Sequence, residues 1–193
     1  GPRAALWEFQ ALLKARVVAG DAALGQRVLA SLRVMIRKLA LPDDLASRMR
    51  SMREKIEAQA HGHDLKRGTG GMVDIEQLTQ FLQLRSAARH PAVLVQETPR
   101  ALDRLGTHEA LDPEVARWLH DTYLFFRRVE TRLQIAFGVD TKEVPTDRAA
   151  ARDLAMRLGY TDTTEGDAAH DLLVALEEAT SATRARYEQL LVD

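Results

Sequence analysis

The chain has 193 residues, the size of one domain or two small ones, with 27 basic and 28 acidic side chains and a formal net charge of −1. That balance argues against a dedicated nucleic-acid binder and against a polybasic membrane-surface protein. The absence of Cys excludes disulfides, thiolate metal sites and a cysteine nucleophile. No apolar run approaches the roughly 18–20 residues of a membrane span, and no signal peptide opens the chain. A globular, cytoplasmic protein is expected, with neither nucleic acid nor membrane among its partners.

Apolar residues make up 46% of the chain, and Ala and Leu dominate them while strand formers are few. The expectation is an all-α protein, a helical bundle of about eight helices. Gly1-Pro2 in place of an initiator Met looks like a tag scar or an excised fragment, and a single helical domain, 1–193, belonging to something larger is expected. Its main bundle would occupy 1–138 and its C-terminal helices 139–193.

In chain order, Leu6, Phe9, Leu12, Leu13 and Val17 predict a helix from about Ala4 to Val18. Gly20-Asp21 ends it and caps a second, about Ala22 to Leu39, with Leu24, Val28, Leu32, Met35, Ile36 and Leu39 on one stripe. A third, charged helix runs from Pro42-Asp43 to about Ala60. Only Leu45, Met49, Met52 and Ile56 interrupt its wet surface. The Gly-dense stretch 61–71 leads into a strong helix from about Met72 to Ala88, closed by His90-Pro91. A short helix follows from about Thr98 to Leu105, ended by Gly106. Asp112-Pro113 opens the longest element, which keeps a 3–4 spacing up to Gly138. Thr146 caps a short helix to Leu158. The last helix, about Asp167 to Leu191, places Leu172, Leu176, Ala179 and Leu190 on one side.

Six His residues offer few ligand sets. His61, His63 and Asp64 make only a partial shell, and no metal site or catalytic residue is expected in this chain. No nucleophile elbow, His-Glu-x-x-His or Walker motif is present. The informative segment is 64–76, Asp-Leu-Lys-Arg-Gly-Thr-Gly-Gly-Met-Val-Asp-Ile-Glu. A Gly-rich loop entering a helix N-terminus can bind phosphate through free N–H groups. Asp74 and Glu76 already answer the helix dipole, so a cation would have to intervene. A tight turn packed closely on a neighbour fits the spacing better. Glu76, Gln80 and Gln83 form a polar stripe that is either solvated or meets another domain. Arg127, Arg128, Glu130 and Arg132 suit anion recognition, or plain surface charge.

Asp64-Leu65-Lys66, Gly70-Gly71, Asp74-Ile75-Glu76 and Gln80 together resemble the signature helical domain of glutamine synthetase adenylyltransferases and the related PII uridylyltransferases. Trp7-Glu8, Gln10-Ala11-Leu12 and Ala15-Arg16 resemble the segment that opens that domain. Arg127-Arg128, Glu130, Arg132-Leu133-Gln134 and Leu158-Gly159-Tyr160 resemble its later helices. The likeness spans nearly the whole chain, with one departure at Gln77, where the family usually has Phe.

The resemblance implies a preceding nucleotidyltransferase domain that carries the Asp-x-Asp metal carboxylates, a motif this chain lacks. Magnesium and ATP are then implied for the parent enzyme and no cofactor for this fragment. The partners implied are that domain, glutamine synthetase and the PII signalling protein. Val73-Asp74-Ile75-Glu76 resembles the adenylylating half more than the adenylyl-removing half. Candidate nucleotide-site or domain-interface residues are Asp64, Lys66, Gly70, Gly71, Asp74, Glu76 and Gln80, with Trp7, Glu8, Arg16, Arg128 and Glu130 secondary. The competing reading is a free-standing helical interaction module.

Overall fold

The computed structural model describes residues 6–138, 141–163 and 166–192, and for Leu6 and Trp7 the backbone only. Eight α-helices occur among them: α1 Leu6–Leu13, α2 Ala22–Arg37, α3 Leu45–Glu57, α4 Met72–Ser86, α5 Thr98–Thr107, α6 Pro113–Phe137, α7 Arg148–Arg157 and α8 Ala168–Leu190. A short 3₁₀ helix at Pro91–Val93 lies between α4 and α5. The all-α expectation holds. The only extended pairing among the described residues is an isolated antiparallel bridge between Asp64 and Glu143.

Local chemistry sets the helix ends. Asp21 opens α2 by accepting the Leu24 N–H at 2.6 Å, and Asp112 opens α6 by accepting from Glu114 and Val115. α7 is capped by Asp147, which accepts the Ala149 and Ala150 N–H groups, and not by Thr146. Asp167 caps α8 through Ala169.

Several boundaries differ from the sequence reading. The expected start of the first helix near Ala4 lies outside the described residues. Its end comes at Leu13, and just beyond it the Ala15 carbonyl accepts from the Gln96 side chain. α5 continues through Gly106 to Thr107. Gly106 instead allows close packing, since a Cβ there would lie 2.9 Å from the Ala116 Cβ.

Packing divides the chain into two compact units, residues 6–49 with 76–120, and residues 50–75 with 121–192. The division falls within α3, α4 and α6. In the first unit the core gathers Leu78, Phe81, Leu84, Val93, Leu102, Leu105 and Leu119. Leu13 of α1 and Ile36 of α2 join it against Leu84, Ala87 and Leu94. Of the six stripe positions expected on α2, only Ile36 is buried. Leu24 is 52% exposed and Val28 49%, because only the C-terminal end of this helix meets the core. In the second unit α6 contributes Phe126, Val129 and Leu133, α7 Ala151, Leu154 and Ala155, and α8 Leu172, Leu176, Thr183 and Tyr187. The α8 stripe therefore uses Thr183 and Tyr187, whereas Ala179 and Leu190 are only half-buried.

This burial pattern separates two leucines that look alike in sequence. Leu102→Ala removes a fully buried side chain and should cost about 2–5 kcal/mol in urea unfolding. Leu24→Ala should stay within about 0.5 kcal/mol of the parent. Equal losses would contradict the described core.

Candidate functional site

The Gly-rich segment lies in the second unit up to Ile75, and its geometry is set by one buried carboxylate. Asp74 is the third residue of α4 and is 0% exposed. Its Oδ2 accepts the Gly70 N–H at 2.9 Å, much as the acid of a capping box reaches back to a free N–H ahead of its helix. Its Oδ1 accepts from Arg53 Nε on α3, and Arg184 Nη1 on α8 donates to Oδ2 at 3.2 Å. Arg53 is itself 1% exposed and donates through Nη2 to the Gly68 carbonyl at 2.6 Å.

Glu57 completes the set. Its Oε2 lies 3.5 Å from Arg53 Nη1 and 3.2 Å from Arg184 Nη1, and its Oε1 accepts from the Thr69 hydroxyl. Arg184 also donates to Glu188 at 2.9 Å. Each buried charge is thus paired with an opposite one, while Arg53 Nη1 and Glu57 Oε2 face each other without a hydrogen bond among the described residues.

Asp64 holds the first turn of the loop. Its carboxylate accepts the Lys66 and Arg67 N–H groups at 2.9 and 2.8 Å, an Asx-type turn that presets the chain direction. The Gly68 N–H then donates to the Asp64 carbonyl at 2.8 Å, and Leu65 and Val144 bond across to Lys142 and His63. The glycines permit the close approach that follows. At Gly70, where φ is +70°, a Cβ would sit 1.9 Å from the Thr180 carbonyl oxygen of α8. At Gly71 it would meet the Leu65 carbonyl at 2.5 Å. The loop is locked against α8, and only glycine fits at Gly70.

Tyr187, one turn beyond Thr183 on α8, borders this cluster. Burial pushes its phenol well above the ordinary range, and the Asp74 charge adds to the effect. The Arg184 guanidinium lies 5.6 Å over its ring.

The predicted site residues are divided between the two units. Asp64, Gly70, Gly71 and Asp74 all belong to the clamped loop and the helix start it leads into, where Asp74 meets Arg53, while Lys66 is exposed. Arg128 and Glu130 also lie in the second unit, where Glu130 accepts from Arg127 and Arg128 is exposed. Glu76 and Gln80 belong to the first unit. There Gln80 accepts from Gln10 Nε2 at 2.9 Å. Glu76 favours the charge of Lys14, which donates to the Gln96 carbonyl and Thr98 hydroxyl, both at 2.9 Å. Burial nonetheless lowers the Lys14 pKa from its ordinary value. Glu8 is half-buried on α1 and Arg16 is exposed after it; the Trp7 side chain lies outside the described residues.

Sequence reasoning missed Arg53, Glu57, Arg184 and Tyr187. One signal was available for Arg53. It follows Leu45 and Met49 at successive steps of four, on the buried stripe of an otherwise wet helix.

The implied magnesium does not fit these residues. Asp74 is fully buried and already accepts from two guanidiniums and the Gly70 N–H, so it presents no oxygen at the surface to an ion or a nucleotide. No group of three or more His, Asp or Glu that could hold a metal occurs among the described residues. No described helix is long and apolar enough to cross a membrane.

Fold and site together define an all-helical domain whose Gly-rich loop is clamped to its last helix by a buried ion pair. Residues 43–191 match the family model described as GlnD PII-uridylyltransferase. The chain is also similar to bifunctional glutamine synthetase adenylyltransferase/adenylyl-removing enzymes. It is 37% identical to that of Bradyrhizobium diazoefficiens over 191 residues, covering 95% of this chain and 19% of the relative. It is 36% identical to that of Mycobacterium marinum over 190 residues, with the same two coverages. For Stenotrophomonas maltophilia K279a the identity is 38% over 160 residues, 81% of this chain and 17% of the relative. The chain belongs to this family of glutamine synthetase adenylyltransferases and PII uridylyltransferases, and spans about a fifth of the length of these relatives.

Two outcomes follow from the clamp. Gly70→Ala should cost on the order of 3 kcal/mol in unfolding free energy, because strain and a backbone clash coincide. Gly20→Ala, at φ +97° with nothing within 4 Å, should cost about 1 kcal/mol. Equal values would show that α8 does not press on the loop.

Tyr187 makes stability fall in alkali. Its folded pKa is raised, so its contribution is complete below the unfolded value of about 10 and is lost as pH climbs beyond it. Tyr187→Phe should flatten that decline in chemical unfolding between about pH 9 and 11. An unchanged slope would contradict the burial of the phenol.

Proposed function

We propose that this chain is the helical domain that works beside a nucleotidyltransferase domain in a cytoplasmic, bacterial glutamine synthetase adenylyltransferase. It supports transfer of AMP from ATP to a tyrosine of glutamine synthetase and is not catalytic by itself. The observation that carries this reading is the 36–37% identity over 95% of the chain to bifunctional adenylyltransferase/adenylyl-removing enzymes. The absence of an Asp-x-Asp pair in the sequence agrees with it, since in-line phosphoryl displacement needs charge stabilisation that this chain does not supply.

In this reading the buried residues act through the loop they build. Asp64, Gly70, Gly71 and Asp74 fix the backbone, and the exposed Lys66 is the group presented to the catalytic domain. Magnesium and ATP belong to that domain. Glu76, Gln80 and the opening segment with Trp7, Glu8 and Arg16 serve the contact with it, and glutamine synthetase and PII are the protein partners. A second reading, the equivalent domain of a PII uridylyltransferase, is favoured by the family model matched over residues 43–191.

The test uses labelled ATP and UTP with magnesium, glutamine synthetase and PII. The chain alone should label neither target. Joined to the nucleotidyltransferase domain encoded upstream, it should support labelling of glutamine synthetase from ATP. In that longer protein Lys66→Ala should raise KM for ATP several-fold at unchanged melting temperature, because an exposed cation contributes to substrate binding and little to folding. Label on glutamine synthetase from the chain alone would refute its non-catalytic role. Uridylyl label on PII would transfer the assignment to the second reading.

A further inference from the structure

A second feature of the 121–192 unit lies apart from the clamped loop. α6 carries Arg127, Arg128 and Arg132 along an open cleft, and Arg157 and Leu158 at the end of α7 form its other side. Its volume, about 760 Å³, falls within the roughly 300–1,000 Å³ of small-ligand sites. Asp121 and Leu124 also line it, and Leu124 is exposed.

The cations of this cleft are only partly neutralised. Arg127 is paired with Glu130 and Arg157 with Asp153. Arg128 and Arg132 have no acidic partner within ion-pair distance among the described residues, and both are exposed. They stand at i and i+4 on one helix, a like-charge spacing that weakens a helix. Helix stability therefore gives no reason for the pair.

We propose that this cleft binds an oligophosphate group. Guanidinium forks grip phosphate oxygens in pairs, and two unneutralised forks along one wall suit an anion whose charges are spread along a short chain. The half-neutralised Arg127 and Arg157 flank them. Leu124 and Leu158 offer an apolar patch beside the cations, on which a nucleobase or other flat group can rest. A cleft confined to one side of α6 and the end of α7 favours a small phosphorylated ligand over an acidic polypeptide, which would require an extended track.

The probe is sodium tripolyphosphate, titrated calorimetrically into the 193-residue chain, with ATP and sulfate as further arms. Tripolyphosphate should bind one to one and more weakly as salt rises. Arg128→Gln combined with Arg132→Gln should lower that affinity about tenfold or more at unchanged melting temperature, since both side chains are exposed. Arg100→Gln, on an exposed residue of the first unit, should change nothing. ATP binding at least as tight as tripolyphosphate, and lost in the same double variant, supports the site and places the base on the apolar patch. No heat at millimolar tripolyphosphate, undiminished binding by the double variant, or equal displacement by sulfate at matched ionic strength would each overturn it.

Discussion

The second unit is organised around an ion pair that water does not reach. Arg53 and Asp74 are both almost completely buried, and each is useless without the other. A lone guanidinium or carboxylate in that position would carry a desolvation penalty of several kcal/mol. Together they reach three parts of the chain. Arg53 holds the Gly68 carbonyl, Asp74 holds the Gly70 N–H, and Arg184 brings α8 to the same carboxylate. The Gly-rich loop, the start of α4 and the last helix are therefore fixed by one charge cluster, and the glycines are what allow the backbone to come near enough.

This arrangement changes what the conspicuous motif can do. A Gly-rich loop before a helix invites a phosphate, but here the helix N-terminus is answered from within the protein by Asp74. The loop's polar groups face inward to α3 and α8, and its outward chemistry reduces to Lys66 and its neighbours. Arg128 and Arg132, without an acidic partner among the described residues, lie elsewhere in the same unit, on α6. A rigid loop presenting a single lysine and a separate arginine-lined cleft are two different surfaces. The proposed partnership with a nucleotidyltransferase domain draws on the first.

Much of the fold was legible in sequence because helix signals are local. Asp21 and Asp112 cap helices where their spacing predicts, and α6 runs from Pro113 to Phe137 as its 3–4 apolar period predicts. What was hidden depends on neighbours far away in sequence. Nothing in Leu24 or Val28 announces that their stripe on α2 stays exposed, since burial requires a partner surface that periodicity does not contain. The site was legible in part. The close approach implied by Gly70 could be read from the residue type, but its partner Thr180 could not. Arg53 looked like one more charge on a wet helix, and Arg184 and Tyr187 are about 110 residues from Asp74 in the chain. A buried ion pair violates the rule that charge lies outside, so composition and period point away from it.

The most direct test of this account is a double-mutant cycle on the pair, using Arg53→Met, Asp74→Asn and both together, read by chemical unfolding of the 193-residue chain. Each single variant strands a buried polar partner and should lose about 3–5 kcal/mol. The double variant should lose clearly less than their sum, with a coupling of at least about 1 kcal/mol. Small, additive losses would contradict the claim that this ion pair holds the loop and the last helix together.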